Sequence, residues 1–135
     1  MQNRDLAKDY LKRSDARLKA LAVLFAERSW ADVVREAQEI VELVLKALLR
    51  SHGVEAPRVH DVSEVMLNEA SRLPTILAKD LPKLAEISKN LRRDRELAFY
   101  GSEDLTPLSF YSEDDATKAL EGARFTVATV RSHIR

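Results

Sequence analysis

The chain has 135 residues, 45% of them hydrophobic and 33% charged, and it contains no cysteine. This composition is typical of a single globular domain, here spanning residues 1–135, and it excludes disulfide and thiolate chemistry. The 22 basic and 22 acidic side chains give a formal net charge of zero, which argues against a tight, non-specific nucleic-acid binder. No apolar run is long enough to cross a membrane, and we expect a cytoplasmic protein.

Hydrophobic residues at helical spacing predict an all-α fold, an up-and-down bundle of four long helices and one short helix. The first helix is predicted from about Asn3 to Glu27. The second begins at an N-cap, Ser29, with an acidic residue three positions later. It continues to about Ser51, and Gly53 fits a C-terminal stop.

Capping residues and prolines mark the ends of the remaining helices. The short helix is predicted from Val62 to about Ser71, and the fourth helix from Asp80 to Gly101. The last helix begins at a second capping box, at Ser112, and keeps an apolar stripe to the C-terminus.

The second helix has an apolar arc wider than half of its circumference. Its polar strip is narrow and consists of Arg35, Glu39, Glu42, Lys46 and Arg50. A helix with this pattern is either central in its bundle or buried against a second subunit. We therefore expect a central helix, a homodimer, or both.

Arg95 lies where the fourth helix should be apolar. At about 100° per residue it falls within roughly 20° of Leu84, near the middle of the face that also carries Leu91. A guanidinium stays protonated, so burying it without an anion would cost several kcal/mol. Glu36 likewise lies within the apolar arc of the second helix. Arg95 is therefore either one half of a structural ion pair with Glu36 or a cation that binds phosphate in a cleft.

The fourth helix also carries a basic cluster, Lys89, Arg92, Arg93 and Arg95. Such a cluster could bind phosphate, although most charge runs are solvated helix faces. His52 and His60 flank one loop, where we expect hydrogen-bonding or capping roles because no further ligands stand at metal-binding spacing. No motif indicates a metal, a cofactor or a catalytic carboxylate pair.

Three segments resemble the HEPN domain family of small helical bundles. They are residues 42–49 of the second helix, the loop that leads to His60, Asp61 and Val62, and residues 95–101, Arg-Glu-Leu-Ala-Phe-Tyr-Gly. The resemblance covers most of the chain and implies the same fold. Many HEPN proteins are homodimers whose fourth helices meet across a cleft. Many are encoded beside a minimal nucleotidyltransferase, sometimes as a toxin–antitoxin pair.

Catalytic HEPN members are metal-independent ribonucleases with an arginine, usually a polar residue after it, and a histidine after four to six intervening positions. In those members the histidine transfers protons at a ribose 2′-hydroxyl, while the arginine stabilises charge on the phosphate. Arg95 matches the arginine and Glu96 the polar residue, but Tyr100 stands at the histidine position. A tyrosine with a pKa of about 10 is a poor base at neutral pH.

The resemblance therefore implies a non-catalytic HEPN protein, a homodimer that partners a minimal nucleotidyltransferase and binds nucleotide or RNA in its dimer cleft. The candidates for binding the nucleotide or phosphate are Arg95, Tyr100, Arg92 and Glu96. Two alternatives stay open: a metal-independent, toxin-like endoribonuclease, and a structural scaffold in which Arg95 only pairs with Glu36. We expect no metal and no cofactor.

Overall fold

A computed structural model describes residues 2–56, 62–100 and 111–134, with side chains described for residues 4–56, 62–93 and 111–134. The helices in these ranges are α1 Gln2–Ala26, α2 Trp30–Ser51, α3 Val62–Asn68, α4 Leu81–Tyr100 and α5 Glu113–Arg131. Two short 3₁₀ turns, Ala70–Arg72 and Thr75–Leu77, connect α3 to α4. No strand occurs in the described residues, and the predicted all-α bundle of four long helices and one short helix is confirmed.

The helix ends differ from the predicted ones by a few residues. The short helix stops at Asn68, and the residues predicted to extend it to Ser71 belong partly to a 3₁₀ turn. α5 ends at Arg131 rather than at the C-terminus. The loop predicted after Gly101 lies outside the described residues as far as residue 110.

Three of the predicted helix ends can be compared with the structure, the start of α5 and both ends of α2. Ser112 Oγ accepts a hydrogen bond from the Asp115 N–H, and the Asp115 carboxylate accepts one from the Ser112 N–H, which is the predicted capping box. Gly53 adopts a left-handed φ of 75° just after α2, as its predicted role requires. Ser29 differs from the expectation, because its hydroxyl donates to the Asp32 carboxylate and caps no backbone N–H.

α2 is the centre of the bundle. It packs against α1, α4 and α5, and α3 contacts both α2 and α4. Its side chains Ile40, Val44 and Leu48 have no exposed surface. Since one chain covers the wide apolar arc of α2, this arc is explained by the central position of the helix and no longer argues for a second subunit.

α4 and α5 both pack on α2 but make little contact with each other. They approach at Ile87 and Gly122, where a Cβ added to the glycine would lie 3.1 Å from Ile87 Cγ2. The space between these two helices is therefore incompletely filled. None of the helices in the described ranges is long and apolar enough to span a membrane.

Candidate functional site

The inner face of α4 is described as far as Leu91. Leu84 and Leu91 are buried on this face, and between them lies Ser88, which is only 7% exposed. Position 95 continues the same register, four residues after Leu91 and seven after Ser88. The side chain at position 95 lies outside the described residues, so its placement on the core-facing side of the helix stays a prediction.

Arg95, Glu96 and Tyr100 all belong to α4, which is helical without interruption over Leu81–Tyr100. Their side chains lie outside the described residues. Helix geometry places positions 95 and 100 about 140° apart around the axis of α4. Two positions at that angle do not share one face of the helix.

Arg92, the candidate residue that precedes them, is half-buried near an acidic group of α2. Glu42 Oε2 accepts a hydrogen bond from Gln38 Nε2 at 2.7 Å, and Glu42 Oε1 lies 3.0 Å from Lys46 Nζ. Burial by itself raises the pKa of Glu42, but the hydrogen bonds from Gln38 and Lys46 and the charges of Lys46 and Arg92 outweigh this effect. The pKa of Glu42 is therefore lowered, and the group is ionised at neutral pH.

These four residues, Gln38, Glu42, Lys46 and Arg92, form what we call the polar seam. Gln38 is 5% exposed, and its Oε1 has no hydrogen-bond partner in the described part of the chain. An unpaired buried polar atom costs about 1–3 kcal/mol. The seam therefore places a polar group with incomplete hydrogen bonding in the interior of the bundle, and it includes a residue of α4 one turn before Glu96.

Glu36 contacts α1. Arg17 Nε donates to Glu36 Oε1 at 2.7 Å, with the two side chains 34% and 22% exposed. Around the axis of α2, Glu36 is about 160° from Gln38, a member of the polar seam. The pairing of Glu36 with Arg95 stays a prediction, because the Arg95 side chain lies outside the described residues, but the carboxylate already has a cationic partner elsewhere. Sequence reasoning missed Arg17 because this contact depends on the mutual register of α1 and α2.

A groove of about 400 Å³ lies between α4 and α5, and we call it the α4–α5 groove. Leu91 and Ala119 contribute apolar surface to it, and Gly122 contributes backbone. Asn90 and Arg93, both exposed, line it from α4. Sequence reasoning missed this groove, and its only signal in the sequence is the glycine inside the last helix.

The wall of the groove on α5 carries one cation and one acid, Lys118 and Asp115. Lys118 Nζ lies 3.4 Å from Asp114 Oδ2, and both side chains are about three-quarters exposed, at 76% and 77%. The Asp115 carboxylate accepts hydrogen bonds from the backbone N–H and the hydroxyl of Ser112. The acid at this wall therefore already serves the cap of α5.

The side chain of His52 has a structural partner. His52 Nε2 donates a hydrogen bond to the backbone oxygen of His133 at 2.8 Å, which joins the end of α2 to the segment after α5. The predicted hydrogen-bonding role of His52 is confirmed, whereas His60 lies outside the described residues. In the described ranges, no group of three or more histidine, aspartate or glutamate side chains is arranged to hold a metal ion.

Comparison with known proteins identifies the family. The HEPN domain model matches residues 7–133, which is nearly the whole chain. The chain belongs to the HEPN domain family. A protein of Methanocaldococcus jannaschii named "Putative toxin MJ1304" is 26% identical over 135 residues, which cover 96% of this chain and 88% of that protein. No solved structure matches the chain significantly.

Family membership confirms the resemblance drawn from the second and fourth helices. The matched range includes Arg95, Glu96 and Tyr100, and it includes every described residue of the polar seam and the α4–α5 groove. All the candidate binding residues of α4 therefore lie within the HEPN domain.

Proposed function

We propose that this HEPN protein is non-catalytic and acts as the homodimeric, accessory partner of a minimal nucleotidyltransferase. It binds nucleotide or RNA in its dimer cleft through the C-terminal end of α4. The binding residues are Arg95, Tyr100, Arg92 and Glu96. Support comes from the family and from the geometry of α4.

We infer the homodimer from the uninterrupted helix of α4. Arg95 and Tyr100 occupy the positions of the arginine and histidine of catalytic family members, yet an unbroken helix sets these positions about 140° apart. One chain brings both to the same ligand only if α4 unwinds. When α4 of one copy packs against α4 of another, Arg95 of the first and Tyr100 of the second can meet in a composite site.

We infer the absence of catalysis from Tyr100, which replaces the histidine of catalytic members. Cleavage at a ribose 2′-hydroxyl needs a base that accepts a proton near neutral pH, and histidine has a suitable pKa. Tyrosine, with a pKa of about 10, keeps its proton at neutral pH. The arginine can still stabilise a bound phosphate, so the expected activity is binding without cleavage.

Sedimentation of the purified protein tests the dimer. We expect a species of twice the chain mass at micromolar concentration. A monomer across that range would contradict the composite site, because nothing then brings position 95 beside a second position 100.

Subunit mixing tests whether the site is shared. Homodimers of Arg95→Ala and of Tyr100→Ala should each lose most of their affinity for a short single-stranded RNA. In the mixed dimer, one of the two sites contains both native residues and the other contains both substituted ones. Refolding the two variants together should therefore restore binding at one site of each heterodimer. A site formed by Arg95 and Tyr100 of the same chain would show no restoration.

The similarity to a protein named as a toxin favours one alternative, a metal-independent endoribonuclease. Incubation of the protein with RNA in EDTA separates the two functions. We expect no cleavage above that of a matched Arg95→Ala preparation. Cleavage that disappears in Arg95→Ala would instead establish the endoribonuclease.

The partner role is tested by the reading frame next to this gene, where we expect a small nucleotidyltransferase, and by co-expression of that protein with this chain. We expect the two proteins to co-purify and the HEPN protein expressed alone to stay soluble. Failure of the two proteins to co-purify would contradict the partner role. If Arg95→Ala lowers the free energy of unfolding and leaves RNA affinity unchanged, the structural scaffold is the correct description of Arg95.

A further inference from the structure

The space between α4 and α5 extends on both sides of the contact between Ile87 and Gly122, and its wider side is the α4–α5 groove. From the contact between Ile87 and Gly122, about 270 Å³ of space extends towards Lys83 and Phe125, and about 400 Å³ extends towards Asn90 and Arg93. On the narrower side, Lys83 Nζ lies 4.0 Å from the centre of the Phe125 ring, so this cation is already placed over an aromatic partner. The wider side is therefore the better place for a ligand.

The wider side combines three kinds of chemistry. Leu91 and Ala119 provide apolar surface, the Asn90 amide provides both a donor and an acceptor, and Arg93 and Lys118 bring positive charge from opposite helices. A ligand that fits this set has a flat apolar ring with polar edges and an anionic group attached to it.

We propose that the α4–α5 groove of each protomer binds one nucleotide unit, with the base against Leu91 and Ala119 and the phosphate between Arg93 and Lys118. Asn90 hydrogen-bonds the edge of the base. This inference rests on the proposed nucleotide binding and adds to the dimer cleft a separate pocket within each chain, close along α4 to Arg95. A free mononucleotide and one nucleotide of an RNA present the same chemistry here.

The size and the charge of the groove agree with this ligand. Ligand pockets have volumes of about 300–1,000 Å³, and the groove lies at the small end of that range. Asp115 lines the groove, and its carboxylate accepts hydrogen bonds from the N–H and the hydroxyl of Ser112. Asp114 lies 3.4 Å from Lys118 in an exposed pair, which a phosphate can replace at little cost. Binding should therefore be weak and sensitive to salt.

Titration of the full-length protein followed by ¹H–¹⁵N NMR tests the proposal. The probes are adenosine 5′-monophosphate, adenosine, inorganic phosphate and a single-stranded RNA hexanucleotide. We expect the monophosphate to shift the amides of residues 90–93 and 115–122, and to bind more tightly than adenosine or phosphate alone. Saturation by the hexanucleotide at lower concentration identifies RNA as the source of the nucleotide, and the reverse order identifies the free nucleotide.

Two groove variants and one control complete the test. Asn90→Ala should weaken binding of the monophosphate about fivefold, and Lys118→Ala about threefold. Arg124→Ala removes an exposed cation of α5 that does not line the groove, and it should change the affinity by less than about twofold. Retained amide dispersion in each variant shows that it is folded.

The outcomes separate the groove from the proposed function. If the monophosphate or RNA binds and Arg95→Ala abolishes binding, while Asn90→Ala and Lys118→Ala bind like the native protein, the groove assignment is wrong and the proposed cleft stands. If no probe shifts any amide, the groove assignment and the nucleotide binding are both wrong. The homodimer is decided independently by sedimentation.

Discussion

α2 carries two regions of opposite character, an apolar core and a polar seam. Ile40, Val44 and Leu48 are fully buried in apolar surroundings, where stability comes from the removal of hydrophobic surface from water and from close packing. In the polar seam, Gln38 and Glu42 bury polar atoms, and one amide oxygen of Gln38 has no partner among the described residues. The apolar part of α2 therefore stabilises the bundle, whereas the unpaired oxygen of Gln38 in the polar seam costs some stability. The seam lies next to α4, the helix that carries Arg95, Glu96 and Tyr100.

The largest effect should come from the apolar core. Leu48→Ala should lower the free energy of unfolding by about 2–5 kcal/mol, because it removes buried methylene groups and leaves a cavity. Urea denaturation followed by circular dichroism measures this loss. Ile76→Ala, at a side chain that is 69% exposed, is the control and should change stability by less than about 0.5 kcal/mol. Equal losses in the two variants would remove the distinction on which the comparison rests.

The polar seam should show a smaller effect that depends on pH. Glu42→Gln keeps the shape of the side chain but removes the charge that faces Lys46 and Arg92, and it should cost about 1–3 kcal/mol at pH 7. The folded-state pKa of Glu42 lies below its ordinary value of 4.5, so the stabilisation is present above that pH and is lost as the pH falls through the folded pKa.

Urea denaturation of both proteins between neutral and acid pH measures this dependence. The difference between native protein and variant should shrink as the pH falls below the ordinary value of 4.5. Glu86→Gln, at an exposed position of α4, should give a change of less than about 0.5 kcal/mol at neutral pH. A difference for Glu42→Gln that stays constant with pH would show that the charge of Glu42 does not stabilise the seam.

The ion pair between α1 and α2 should contribute less than the seam. A double-mutant cycle on Arg17 and Glu36 should give a coupling energy of about 0.2–1 kcal/mol that decreases with added salt. The pair of Asp15 and Arg131 joins α1 to α5 with side chains 41% and 48% exposed, and it should couple more weakly. A coupling well above 1 kcal/mol for Arg17 and Glu36 would mean that this pair belongs energetically to the interior.

The smallest effect is expected at the contact between Ile87 and Gly122, where the α4–α5 groove begins. Gly122→Ala gains helix propensity of up to about 1 kcal/mol, but its Cβ would lie 3.1 Å from Ile87 Cγ2. The net change should be a few tenths of a kcal/mol. In an Ile87→Ala background the clash is absent, and the same substitution should stabilise the protein by about 0.5–1 kcal/mol in thermal unfolding. Identical effects in both backgrounds would show that Ile87 does not limit position 122.

Much of the fold follows from local patterns. The capping box of Ser112 and Asp115, the left-handed Gly53 and the register of Leu84, Leu91 and Arg95 along α4 depend on residues within a few positions of each other. Such features are visible in a sequence because hydrogen bonding and side-chain direction in a helix repeat over short distances. Even so, the Ser29 cap differed from its expectation, since a hydroxyl can choose between a backbone N–H and a nearby carboxylate.

The sequence by itself determined the all-α class, the helices and their approximate ends, the family, and the presence of Arg95 in α4 with a tyrosine five residues later. Only the tertiary structure decided that one chain covers the apolar arc of α2, that Glu36 pairs with Arg17, and that a groove runs between α4 and α5. The reason is physical. A helix is specified by neighbours along the chain, whereas the partner of a charge and the space between two helices depend on how whole helices are rotated and shifted against each other.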